Sequence, residues 1–89
     1  MAQIRETRFA VMRLNENDID LRDLDNMTIV SVETEHEYYD EDMADQITDL
    51  SPGDILDAQI QGEDVLQPNS IWRFLRFNVI GHNRMWADE

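Results

Sequence analysis

Apolar residues along the chain fall in runs separated by polar, turn-forming clusters, and the period within each run predicts its element. Gln3 to Leu14 (QIRETRFAVMRL) reads as a strand. Ile4, Ala10, Met12 and Leu14 share one parity and Phe9 and Val11 the other, the mixed pattern of a strand covered on both faces at one end. Asn15 to Asn26 is polar with single apolar residues at Ile19, Leu21 and Leu24, compatible with a loop carrying one helical turn or with a short strand. Met27 to Tyr39 is the clearest strand. Its β-branched start leads into an alternation that puts Val30, Val32, Thr34, His36 and Tyr38 inward and Ser31, Glu33, Glu35 and Glu37 outward. Over Asp40 to Leu50 the period changes: Met43, Ile47 and Leu50 follow helical spacing, and Asp40 or Asp42 caps the start. Ser51, Pro52 and Gly53 end this short helix. Asp54 to Gln61 alternates Leu56, Ala58 and Ile60 with polar residues, Gly62 to Ser70 is a loop, and Ile71 to Ile80 (IWRFLRFNVI) is the last strand. Strict parity there puts Trp72, Phe74, Arg76, Asn78 and Ile80 on one face and Ile71, Arg73, Leu75, Phe77 and Val79 on the other.

Four strand-like runs, one helix and no alternation of strand and helix predict a mainly β, mainly antiparallel sheet. The segment Leu50 to Ile60 (LSPGDILDAQI) resembles the turn and strand of small β-barrels of the OB type, where Pro-Gly-Asp introduces a strand that curls round the barrel. The resemblance implies a small antiparallel, partly or fully closed OB-like barrel. An open sheet with the helix across one face is the competing architecture.

At 89 residues the chain is a single domain (residues 1–89), and a domain of this size buries only roughly 60 to 65 % of the surface its unfolded chain exposes. Dimerisation would add to so small a core. Charge adds more to the picture. The net charge is -13, all seven basic residues are Arg, and no Lys is present. Such a surface repels itself in dilute salt and is relieved in concentrated salt, where the screening length falls to about 3 Å at 1 M. An acidic, Lys-free composition resembles the small acidic proteins of halophilic archaea, whose cytoplasm is molar in KCl. The absence of cysteine excludes disulfides and thiolate metal sites. The first residues lack a signal-peptide layout, and no apolar run approaches the roughly 18 residues of a membrane span, so a cytoplasmic protein without a membrane partner is expected.

The acids are unevenly placed. Residues 15–64 hold 17 of the 20, whereas Val65 to Ala87 hold none while containing both tryptophans, two of the three phenylalanines and Arg73, Arg76 and Arg84. Pairing of the first and last strands would gather their arginines on one patch. Two readings of this stretch follow. Its aromatics are core and its arginines pair with local carboxylates, or Trp72 and Phe74 stack single-stranded nucleic acid while Arg73, Arg76 and Arg84 hold phosphates. Trp86, beside His82 and Met85, packs back on the domain or meets a second copy. The carboxylates of Glu33 to Asp45 lack the Gly and terminal Glu of a Ca²⁺ loop and read as a solvated face. His36 and His82 have no metal or general-base spacing, and no nucleophile elbow or phosphate loop is present.

The sequence therefore predicts a non-enzymatic interaction domain with no cofactor and no metal, self-associating or binding another protein through its first and last strands. The partner residues are Trp72, Arg73, Phe74, Arg76, His82, Arg84 and Trp86. Nucleic-acid binding by the same face is the alternative.

Overall fold

Strand β1 (Gln3–Leu14) carries the architecture because it is paired on both sides in its middle. The computed structural model describes residues 3–62 and 71–87. Along its first part β1 pairs antiparallel with β4 (Asp54–Gly62), along its last part with β2 (Asp18–Asp23), and Phe9 and Ala10 have a partner in each. Phe9, Ala10 and Val11 are all fully buried, which alternation alone does not allow. Both faces of β1 are covered there: the barrel lies inside, and the C-terminal 3-10 turn Arg84–Trp86 packs against the strand.

The ring runs β1, β2, β3 (Ile29–Glu33), β5 (Trp72–His82), β4 and back to β1, giving a small closed barrel of five strands. Every pairing is antiparallel except β3 with β5, which is parallel and consists of one bridge, Val32 with Trp72. The fold is mainly β with one short helix, as the sequence patterns imply. The stretch Asn15 to Asn26, left open between helical turn and strand, forms β2, where Ile19 and Leu21 point into the core and Asp18 and Asp20 do not.

Three expectations change. The strand expected over Met27 to Tyr39 is only Ile29–Glu33, so Val30 and Val32 are core but Thr34, His36 and Tyr38 share no strand face with them. Its partner β2 begins at Asp18, and past Glu33 the chain turns on itself: the Tyr38 N–H donates to His36 Nδ1 and the Tyr39 N–H to the His36 carbonyl. Local bonds from a side chain thus replace the ladder. Next, β1 and β5 do not pair, because β4 lies between them. Third, strict parity fails in β5. Of two register shifts against β4, at Leu75 and at Ile80, the first returns Phe77 to the inner face with Trp72 and Phe74. Each bulge inserts one residue and re-aims those after it. Apart from Gly62, the expected Gly62 to Ser70 loop lies outside the described residues.

Helix α1 (Glu41–Thr48) covers one end of the barrel. Asp40 caps it by accepting the Met43 N–H at 2.8 Å, Glu41 and Asp42 sit where the helix dipole favours anions, and Ile47, with Leu50 beyond it, enters the core. The other end is closed by polar groups. Arg5 Nη1 lies 3.2 Å from Asp23 Oδ2, with the guanidinium 5.1 Å from the Trp72 ring centre. Asp23 is buried, and its other oxygen accepts from the Asp25 N–H at 2.8 Å.

Candidate interaction surface

The seam between β3 and β5 is where the barrel is thinnest, and Tyr39 closes it. Its hydroxyl donates to the Glu33 carbonyl at 2.8 Å and accepts from the Phe74 N–H at 2.9 Å, standing in for the backbone pairs that β3 is too short to make. Burial pushes the Tyr39 phenol up to about 12, against the Phe74 N–H, which favours the anion. This anchor presents Tyr38 to solvent, with the Arg73 guanidinium 4.9 Å from its ring centre and the His36 ring at 5.0 Å. Arg73 also donates to Gln61 at 3.0 Å across the β4–β5 pair.

The residues singled out in the acid-free stretch divide into three groups. Trp72 and Phe74 are barrel core, 5 % and 1 % exposed. Their rings face the core and not solvent, which matches the reading of them as core aromatics and offers no ring for a base to stack on while the barrel is closed. Arg73 and Arg76 stand on the outer face of β5, and Arg76 is committed to Glu6 of β1 across the intervening β4. The first and last strands thus communicate through an ion pair and not through a cationic patch. His82, Arg84 and Trp86 are gathered at the far end of β5 by the Gly53 turn.

That turn is built tightly. Gly53 has φ +97°, its N–H donates to the Val11 carbonyl at 2.7 Å, and its carbonyl accepts from the Asn83 N–H at 2.8 Å. A Cβ at Gly53 would lie 3.0 Å from the Asn83 carbonyl oxygen and from the His82 ring, so glycine is required on both counts. His82 Nδ1 sits 2.8 Å from Asp54 Oδ1, and the Asn83 side chain accepts from the Met85 N–H at 3.0 Å, capping the 3-10 turn. Two close contacts therefore hold Arg84, Met85 and Trp86 in one place on the surface.

What that place offers is apolar. Val79, Ile80 and Met85 are 54 %, 51 % and 88 % exposed. Val79 pairs with the inward-facing Leu56 yet stays half-exposed, sharing a surface hollow with Gln46 and Asp49; Ile80 is the bulge residue beside it. On the other side of α1, Leu14, Ile19, Ala44 and Ile47 line a slot of about 310 Å³ whose rim carries Glu16 and Glu35. Sequence reading counted Arg84, His82 and Trp86 as partner residues but not Met85 or Val79, and it did not find this slot, since an isolated Met or Leu at a strand end carries no periodic signal.

Among the described residues no three His, Asp or Glu side chains converge as a metal-ligand set, and no helix is long and apolar enough to cross a membrane. No family model, curated protein or solved structure matches this chain.

Proposed function

We propose that this domain is a non-enzymatic interaction module that self-associates through the end of the barrel where β1 and β5 finish, in a salt-rich cytoplasm. The reading is carried by one observation. In a chain of net charge -13, four of the nine large apolar residues exposed among the described residues, Ile71, Val79, Ile80 and the most exposed of all, Met85, lie in the 23-residue stretch that has no acid. A contact made through this patch presents methyl groups, a thioether and Arg84 to the other copy instead of carboxylates. Apolar contact is non-directional and survives molar salt, whereas the long-range repulsion between two anionic bodies does not. Dimerisation also adds buried surface to a core that is small because the chain is short.

The nucleic-acid alternative finds less support. The aromatics it relies on are core, and Arg76 already holds Glu6. Light scattering across a dilution series tests the proposal, with a dimer expected in molar KCl that loosens as the salt is removed. A strict monomer at every concentration in molar KCl sinks it.

A further inference from the structure

The exposed Met85 and the slot beside α1 are complementary in shape and in charge, and from this we infer that a second copy of the chain docks knob into slot. Met85 of each copy enters the cavity formed by Leu14, Ile19, Ala44 and Ile47 of the other. The inference rests on the self-association proposed above and names its contact.

Four observations support it. Met85 is the most exposed large apolar side chain among the described residues, and it stands on a turn held by the Asn83 cap and the Gly53 bonds, so little backbone freedom is lost when it is buried. The slot, at about 310 Å³, is larger than one methionine side chain, and a flexible thioether fills irregular apolar gaps well. Knob and rim carry opposite charge: Arg84 precedes the knob, Glu16 and Glu35 border the slot, and none of the three has an ion-pair partner among the described residues. Finally, both features lie at one end of β1. The Gly53 turn roots the knob at Val11, and Leu14 is three residues further, about 10 Å along a strand. Neighbouring knob and slot allow a two-fold axis to satisfy both contacts at once, so the assembly closes as a dimer and does not run on as a fibre.

In molar salt the Arg84 to glutamate attraction is screened, so Met85 supplies the affinity and the charges choose the partner face. Four single variants, each checked for native circular dichroism, are followed by light scattering and sedimentation: Met85→Asp, Ala44→Trp to fill the slot, Arg84→Glu and Glu35→Arg. Met85→Asp and Ala44→Trp should each weaken the dimer by at least about tenfold. Mixing those two should recover part of the association, because each heterodimer keeps one intact knob and one intact slot. In dilute salt Arg84→Glu and Glu35→Arg should each weaken association, and mixing the two proteins should restore it, because their heterodimer has opposite charges at both contacts. Association of the Met85→Asp and Ala44→Trp proteins at wild-type strength overturns the knob and slot while leaving self-association in place. A wild-type monomer instead removes the reading on which this contact rests.

Discussion

Replacing Tyr39 by Phe keeps the ring and removes only the hydroxyl that bridges Glu33 and Phe74. Two hydrogen bonds are lost, each contributing on the order of 1 kcal/mol, and the Phe74 N–H is left in a half-buried seam without a partner, which adds more. The barrel has one backbone bridge there, so no neighbouring pair takes up the load. A loss of about 2–3 kcal/mol is expected, a fall of about 10–20 °C in Tm for a domain of this size. Urea unfolding in molar KCl should show a lower midpoint with an unchanged slope, and amide exchange should show Phe74 among the sites losing most protection. The phenol adds a pH signature. Its folded pKa of about 12 lies above the ordinary 10.0, so the stability it contributes is complete below pH 10 and is lost as pH rises through 12. Two units correspond to nearly 3 kcal/mol, reduced to about 1–2 kcal/mol for a half-exposed group. Wild type and Tyr39→Phe should therefore converge in stability between pH 10 and 12. Parallel pH profiles, or a variant within about 0.5 kcal/mol of wild type with Phe74 still protected, would refute this account of the seam.

Asp23→Ala strips the partner from Arg5 and the acceptor from the Asp25 N–H at a buried site, and should destabilise by about 3 kcal/mol in chemical denaturation. Glu6→Gln breaks the ion pair to Arg76, but both side chains are half-exposed, so a change below about 0.5 kcal/mol is expected by the same measurement. Gly53→Ala forces a side chain into the left-handed region against Asn83 and His82. It should cost about 2 kcal/mol, with amide shifts concentrated at residues 82–86, whereas shifts confined to the neighbours of residue 53 would show the turn to be looser than described. Trp72 emission should be blue-shifted and insensitive to soluble quencher, and a quencher-accessible Trp72 would contradict its place in the core.

Local patterns carried most of the architecture. The alternation of Leu56, Ala58 and Ile60, the Asp40 cap with Met43, Ile47 and Leu50, and the doubly covered middle of β1 are all visible in residue order, because each depends on neighbours within one turn or one strand. The features that sequence missed depend on partners far away. Nothing around Phe77 announces the bulge at Leu75 that turns it inward, since the bulge exists only relative to β4. The length of β3 is set by where β2 starts, not by its own β-branched run. Arg5 finds Asp23 and Trp72, and Tyr39 finds Phe74, across separations that periodicity does not span. The surface was half legible for the same reason. Charge segregation pointed to the C-terminal end, but the slot beside α1 is assembled from β1, β2 and the helix together, and no one stretch contains it.

The double pairing of β1 also shapes how the chain comes to be folded. Its second half finds β2 and then β3 through short connections, so a three-stranded meander can form early in synthesis. Its first half waits for β4, more than forty residues further along, and until then Gln3 to Arg8 is an unpaired edge on a nascent chain. The charges there, Arg5, Glu6 and Arg8, suit that interval: they interrupt what would otherwise be a sticky ribbon between Ile4 and Phe9. In the finished barrel Glu6 gains little from Arg76. Its value lies in the seconds before Arg76 has been made.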